Sequence, residues 1–344
     1  MKEPGGWTWR VGLAGLAAAG IAYGLYRATS RRKKGGRASP GPPRASEGKP
    51  AGLGGGEASG SPRSSGPHRA PLRGFPQGGS DGSNSTQGVL EGEHLEKLLY
   101  LLDITEDPVL QGQILVTLSN SAAFSVNQDL IRALGGLVVI GKMLSVPFTD
   151  VRQKALNALN NLSMNAKNQE ELKVYITRVC EEVDDSSVNS ELQLAGLRFL
   201  TNISVTNNYH YMMTSFVPNF LHLLFEGNER TQIQVLKVLV NLSANPAMAE
   251  HLLNSQAPLL LSLFDDCINK DILLRVLVFA TNLTKSMRND KGSSAIHNEH
   301  RYNEDSIFST LSDNSLYTQK LASLLHHYDA EVKEQAAKLI MQQC

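Results

Sequence analysis

The sequence predicts an all-α chain in which similar units of about 40 residues stack on one another. A short phrase centred on an asparagine returns five times, at Asn120, Asn161, Asn202, Asn241 and Asn282, in steps of 41, 41, 39 and 41 residues. A leucine stands five residues before each, at Leu115, Leu156, Leu197, Leu236 and Leu277. This period is typical of helical repeats, in which one unit cannot bury its apolar face alone. We therefore expect function to reside on an extended surface.

The formal net charge of zero hides an uneven distribution of charge. Residues 1–88 hold 13 Lys and Arg against 4 Asp and Glu, whereas residues 89–344 hold 20 against 29. An acidic folded part argues against nucleic acid as the main ligand and favours partners with basic surfaces. The cysteines, Cys180, Cys267 and Cys344, are odd in number and far apart, which favours a reducing compartment over a disulfide framework.

Residues 1–34 are predicted to form a signal anchor with a basic flank. Residues 11–26 carry no charge, and a membrane span over residues 7–27 is short but possible if Arg10 reaches the interface. A basic block follows at once, at Arg27, Arg31, Arg32, Lys33 and Lys34. Because basic residues favour the cytosolic side of a membrane span, this block predicts a single pass with the rest of the chain in the cytosol.

Two other interpretations of this segment fit less well. A cleaved secretory signal lacks an obvious small-residue cleavage site, and a matrix presequence would be amphipathic and rich in arginine. The short, weakly apolar span suits a thin membrane, so we expect the mitochondrial outer membrane, with the endoplasmic reticulum as the alternative.

Residues 35–88 are predicted to be a disordered linker. These 54 residues include 15 Gly, 8 Pro and 9 Ser and almost no aliphatic run. Such a composition cannot bury enough apolar surface to offset the entropy lost on ordering. The linker would let residues 89–344 range tens of ångströms from the membrane.

Residues 89–344 are predicted to hold the repeats. In the clearest unit, residues 124–165, a short helix stops at Gly135-Gly136, a second helix is apolar, and Asp150 is expected to cap a third. The division runs 91–123 (truncated), 124–165, 166–206, 207–245 and 246–286. A polar, turn-rich insertion at 285–306 then precedes a degenerate last unit, in which Val332 aligns with Val151.

Three helices per unit, with the third ending in L-x-N-[LI]-[ST], resemble the armadillo repeat over about residues 91–344. That resemblance implies a right-handed superhelix of stacked three-helix repeats. We thus predict an armadillo domain preceded by one transmembrane helix and a disordered linker.

Longer phrases are similar to one armadillo branch, the X-linked Armcx proteins and their relatives. They include GWTWRVGLAGLAAAGIAYGLYRATSRRKK, NSAAFSVNQDLIRALGGL and QLAGLRFLTNISVTN. This resemblance implies a scaffold in mitochondrial distribution, transport and dynamics, with a role in cell growth and survival and with Miro GTPases and TRAK motor adaptors as partners. It also implies an alternative, restraint of a tumour-suppressor transcription factor at the endoplasmic reticulum or in the nucleus.

In the armadillo family, the repeated asparagines of the third helices hold the main chain of an extended peptide, since an amide both donates and accepts. The positions four residues earlier, which hold tryptophan in nuclear-import members, are here Val116, Asn157, Arg198, Lys237 and Val278. Basic import signals are therefore not expected, and Arg198 with Lys237 would suit an acidic stretch better. The predicted partner groove comprises Asn120, Asn157, Asn161, Arg198, Asn202, Lys237, Asn241 and Asn282. The alternative is that these asparagines only satisfy backbone groups between units.

Catalytic, cofactor and metal sites are not expected, and neither is enzymatic activity. His297, His300 and Glu304 have helix-like spacing but fall in the polar insertion, where a solvated loop is the better interpretation. No Ser/His/Asp arrangement, Walker loop or Rossmann fingerprint appears in a suitable context in the sequence.

Overall fold

The computed structural model describes residues 92–265, 268–291, 302–312 and 315–343. The predicted anchor (1–34) and linker (35–88) lie outside these ranges, as do His297 and His300. Within the described ranges, no helix combines the length and apolar character that a bilayer crossing requires.

These residues form an all-helical array, as the sequence predicts. Its α-helices are α1 (Gly92–Ile104), α2 (Pro108–Ser121), α3 (Ser125–Ala133), α4 (Gly136–Lys142), α5 (Thr149–Leu162), α6 (Ala166–Leu172), α7 (Ile176–Asp185), α8 (Glu191–Ile203), α9 (Val217–Glu226), α10 (Glu229–Ser243), α11 (Ala249–Asn254), α12 (Lys270–Lys291), α13 (Ile307–Ser312), α14 (Ser315–Leu324) and α15 (Ala330–Gln343). Short 3-10 helices cover Met143–Ser145, Lys173–Tyr175, Asn207–Phe216, Pro246–Met248 and Leu260–Phe264.

The helices repeat in threes, and the third helix of each unit packs against the next. These third helices are α2, α5, α8, α10, α12 and α15. The helices that open the four full units begin at Ser125, Ala166, Asn207 and Pro246, which confirms the predicted repeat division there. Because each unit contacts mainly its neighbours, the array has the one-dimensional order of a solenoid.

One continuous core runs through the stack, and the five repeated leucines belong to it. Leu115, Leu156, Leu197, Leu236 and Leu277 are each 0% exposed. Truncating such a side chain to alanine typically costs about 2–5 kcal/mol. The assignment of these leucines to the core is confirmed.

The helix ends of the second unit agree with the sequence in one place and differ in another. Gly135 has φ +72°, a left-handed conformation that glycine adopts without strain, and it separates α3 from α4 as predicted. The prediction that Asp150 caps this helix is wrong: Phe148 occupies the N-cap position, and its side chain forms no capping hydrogen bond. Asp150 lies in the first turn of α5 instead, where its carboxylate accepts from Lys154 Nζ at 2.6 Å.

The insertion predicted at 285–306 is wrong in its first part. Helix α12 runs on to Lys291, because residues 285–291 contain no Gly or Pro and carry residues that a helix tolerates. In the last unit α15 packs against α12, and Val332 is fully buried, as its alignment with Val151 predicts.

Candidate binding groove

Four of the five repeated asparagines join neighbouring third helices. Asn161 donates from Nδ2 to the carbonyl and hydroxyl oxygens of Ser119, at 2.9 and 3.2 Å. Asn202 donates to the carbonyl of Asn160 at 3.0 Å and to the hydroxyl of Ser163 at 3.1 Å. The later members repeat the pattern: Asn241 with Thr201 O (3.2 Å) and Ser204 Oγ (2.9 Å), and Asn282 with Val240 O (3.4 Å) and Ser243 Oγ (3.0 Å). We call Asn161, Asn202, Asn241 and Asn282 the asparagine ladder.

In each ladder asparagine, the Nδ2 donor is used for hydrogen bonds between neighbouring units. All four side chains are half-buried, and Nδ2 points at the preceding third helix rather than at solvent. The Oδ1 atoms of Asn202, Asn241 and Asn282 accept no hydrogen bond from the described residues. A ligand could therefore use the ladder only as a row of acceptors.

Asn120 and Asn157 differ from the ladder because their amides make no hydrogen bond within the described part of the chain. Asn120 is exposed on α2, before which the described residues contain no third helix, and Asn157 is half-buried on α5. Both face one depression of about 350 Å³. Its remaining lining residues are Val116, Ser119, Lys154, Asn160, Asn161 and Arg198. The structure thus brings together four predicted groove residues: Asn120, Asn157, Asn161 and Arg198.

A second row of polar side chains supports the ladder from the opening helices. Gln128 Nε2 donates to the carbonyls of Ala122 (2.8 Å) and Asn161 (3.0 Å). Gln169 repeats both bonds one unit later, to Ser163 (2.8 Å) and Asn202 (3.3 Å). In the next unit, His210 Nε2 lies 2.7 Å from the carbonyl of Ser204, and Nδ1 lies 3.2 Å from Asn245 Nδ2. This row is not among the residues predicted from the sequence, although a spacing of 41 and 41 residues separates its three members.

Burial lowers the pKa of His210, although the hydrogen bond to the Ser204 carbonyl opposes this effect. The neutral imidazole suits the site, because one ring nitrogen can donate to the carbonyl while the other accepts from the amide.

Four consecutive third helices contribute a set of cations whose members lie near one another: Lys154 and Arg198 line the same depression, and Lys237 lies within the charge fields of Arg198 and Arg275. The set consists of Lys154 on α5, Arg198 on α8, Lys237 on α10 and Arg275 on α12. We call it the basic row. Arg198 and Lys237 were predicted from the sequence as groove residues. Lys154 and Arg275 were not, because they stand seven rather than four residues before an asparagine.

Three members of the basic row have an acidic neighbour on their own helix. Lys154 pairs with Asp150 at 2.6 Å, Arg275 with Asp271 at 3.1 Å, and Arg198 with Glu191 at 3.7 Å. The carboxylates are largely solvated, with 69%, 63% and 50% of their side-chain surface exposed, so each pair is worth little.

Lys237 has no ion pair within the described residues. Its Nζ has one weak bond, to Gln234 Oε1 at 3.4 Å. Burial lowers the pKa of Lys237, and the charges of Arg275 and Arg198 lower it further, although Asp271 opposes them. This ammonium is thus partly removed from water beside two like charges.

The described residues hold no cluster of three or more His, Cys, Asp or Glu that could bind a metal ion. Of the residues considered for metal binding, Glu304 is described, and it is exposed. The thiol of Cys180 is fully buried, and burial raises its pKa, which disfavours a reactive thiolate.

Comparisons with known proteins agree with this geometry. The family model described as Armadillo-like matches residues 90–312, more than half of the chain. A designed armadillo repeat protein is 15% identical, with a TM-score of 0.60 over 73% of this chain and 100% of that one. A second designed armadillo repeat protein, solved in complex with the peptide (KR)4, is 16% identical, with a TM-score of 0.58 over 73% and 99%. Since the family match covers more than half of the chain, the chain belongs to the armadillo-like family.

Proposed function

We propose that this chain is a membrane-anchored, non-enzymatic scaffold whose third-helix face binds extended segments of partner proteins. The observation that carries the proposal is the depression that α2, α5 and α8 share, in which the amides of Asn120 and Asn157 are free of bonds to the described residues. An amide that both donates and accepts matches the peptide unit of a ligand. A protein of the same fold holds a peptide, which supports this use of the surface.

We further propose that the scaffold is anchored in the mitochondrial outer membrane, with the endoplasmic reticulum as the alternative. The apolar residues 11–26 and the basic block after them support a single pass with the repeats in the cytosol. The resemblance to the Armcx branch suggests roles in mitochondrial distribution, transport and dynamics and in cell growth. It also suggests Miro GTPases and TRAK motor adaptors as partners.

The asparagine ladder supports the cytosolic orientation. Each ladder residue begins an N-x-S/T sequence, the acceptor pattern for glycans on the lumenal side of the secretory pathway. A glycan would occupy the Nδ2 atom that bonds the preceding helix, as at Asn202. A cytosolic location avoids this conflict.

Proximity labelling in cells tests the proposal with three forms: the full chain, a form lacking residues 7–27, and the double variant Asn120→Ala/Asn157→Ala. We expect the full chain to label mitochondrial surface proteins, the deletion to lose them, and the double variant to stay at the membrane but lose its partners. Val138→Ala, at an exposed position on α4, is the control.

If the full chain labelled nuclear proteins, and the form lacking residues 7–27 labelled the same ones, the result would favour the alternative, a regulator of a transcription factor. Unchanged partners for the Asn120→Ala/Asn157→Ala variant would contradict a groove-based scaffold.

A further inference from the structure

We infer that the groove selects an extended segment rich in Asp and Glu, whose carboxylates pair with the basic row. This inference rests on the proposed function, since it names the chemical class of the ligand that the same face would bind.

The placement of the cations favours an extended ligand. Packed helices lie about 8–10 Å apart, and an extended chain advances about 3.3 Å per residue with its side chains on alternate sides. A segment lying across α5, α8, α10 and α12 therefore brings a residue past each cation about every two or three positions. Alternating acidic residues would meet Lys154, Arg198, Lys237 and Arg275 in order.

Lys237 gives the strongest reason for an anionic ligand. Its ammonium is partly withdrawn from water, forms no ion pair with the described residues, and lies within the fields of Arg198 and Arg275, which the charge of Asp271 opposes. A carboxylate placed there would relieve a repulsion that the free protein already bears. The interaction would also be stronger than at the surface because less water screens it.

The acidic neighbours of the row do not neutralise it for a ligand. Asp150, Glu191 and Asp271 are at least half exposed, and exposed pairs contribute about 0–1 kcal/mol. Ligand carboxylates can therefore share these cations at little cost.

Other anions fit the arrangement less well. A single phosphorylated residue would concentrate its charge at one or two cations, whereas the row offers one cation per unit over four units. A nucleic acid would bring its phosphates against residues 89–344, which carry nine more acidic than basic residues. An acidic protein segment spreads its charge along the row, and it meets less repulsion than a nucleic acid because the residues between its carboxylates are uncharged.

Fluorescence anisotropy with the purified full chain tests this inference. The probes are labelled octapeptides of alternating Glu and Ser, of alternating Lys and Ser, and of alternating Gly and Ser. We expect the acidic peptide to bind at least tenfold more tightly than the other two, with an affinity that falls as salt rises. Lys237→Glu should weaken this binding at least tenfold, and Arg198→Gln about threefold or more.

The matched control is Lys167→Glu, which makes the same charge change at an exposed position on α6. It should leave the affinity within about twofold of the unmodified chain. Thermal unfolding of each variant establishes that it is folded, and Arg198→Gln replaces Lys237→Glu as the deciding variant if the latter unfolds.

The inference is overturned if the basic or neutral peptide binds as tightly as the acidic one, or if Lys167→Glu weakens binding as much as the groove variants do. Tighter binding of a singly phosphorylated serine peptide or of a single-stranded oligonucleotide would also overturn it. If partners in cells depend on Asn120 and Asn157 while the acidic peptide fails to bind, only the charge preference falls and the scaffold function stands.

Discussion

At the scale of single residues, the repeated asparagine joins neighbouring units, a structural role that its sequence context does not reveal. The motif L-x-N-[LI]-[ST] suggested a ligand-binding amide, and the structure shows Nδ2 of four copies bound to the preceding unit. The following Ser or Thr matters too, since the hydroxyls of Ser163, Ser204 and Ser243 accept from the next ladder asparagine. Ligand binding by the ladder stays a prediction, and only its acceptor atoms remain for it.

The substitution Asn202→Ala should lower the free energy of unfolding by about 1–2 kcal/mol, because it removes half-buried hydrogen bonds to Asn160 and Ser163. Asn120→Ala is the matched control, since the same motif position there forms no bond between units within the described residues. Urea unfolding of both variants checks the prediction. Equal losses would contradict the ladder's role in joining units.

The buried imidazole of His210 should make stability depend on pH. Its pKa in the folded chain lies below its unfolded value of 6.5, so the unfolded chain binds a proton that the folded chain does not as pH falls below about 6.5. The free energy of unfolding should therefore drop between pH 7.5 and 5.5. His210→Gln should reduce this drop, because glutamine occupies the equivalent places at Gln128 and Gln169 and makes the same bond.

Thermal unfolding midpoints of the unmodified chain and of the His210→Gln variant at pH 7.5, 6.5 and 5.5 measure this effect. Groups other than His210 titrate in both the unmodified chain and His210→Gln, so their effect on stability is removed when the two are compared. Parallel pH curves would show that His210 is not protonated on unfolding in this range.

At the scale of helices, close approach between units depends on small residues. A Cβ atom added at Gly141 on α4 would lie 2.1 Å from Cζ of Tyr175, in the 3-10 helix of the next unit. A ring carbon at that distance must move, so this glycine allows the ring to pack directly against the α4 backbone. The second helix of one unit thus packs against the following unit through the contact between Gly141 and Tyr175.

The variant Gly141→Ala should destabilise the chain by about 1–3 kcal/mol through overpacking against Tyr175. In a Tyr175→Leu background the ring is gone, and the added methyl group should cost less. A double-mutant cycle of unfolding free energies measures the difference. If Gly141→Ala costs the same in both backgrounds, the contact with the ring is not the cause.

Helix-level features divide into those that the sequence predicts and those it does not. The period, the repeated leucines and the stop at Gly135 follow from local patterns, because apolar spacing and glycine conformation are properties of a few adjacent residues. The start of α5 and the length of α12 do not, since a helix end is settled by small energies that packing can override. Lys154 and Arg275 were missed for another reason: they join Arg198 and Lys237 only when four helices are stacked.

At the scale of the whole molecule, the fold places a row of positive charges on one face of an otherwise acidic domain. Residues 89–344 carry an excess of acidic residues, yet the third-helix face presents four cations in a row. Such a contrast guides one kind of ligand to the groove while the rest of the surface repels it. In the first unit, the amide of Asn120 makes no hydrogen bond to the described residues, so the groove offers both a donor and an acceptor at that end.

Site-specific photo-cross-linking tests most directly whether this face is the binding surface. The full chain is expressed in cells with a photo-reactive amino acid at position 116 of α2, where the exposed Val116 lines the depression, or, as control, at position 138 of α4. The account predicts covalent adducts with protein partners at position 116 and few at 138, and it predicts that Lys237→Glu, but not Lys167→Glu, diminishes them. Adducts that form equally at both positions, or at 138 alone, would contradict it.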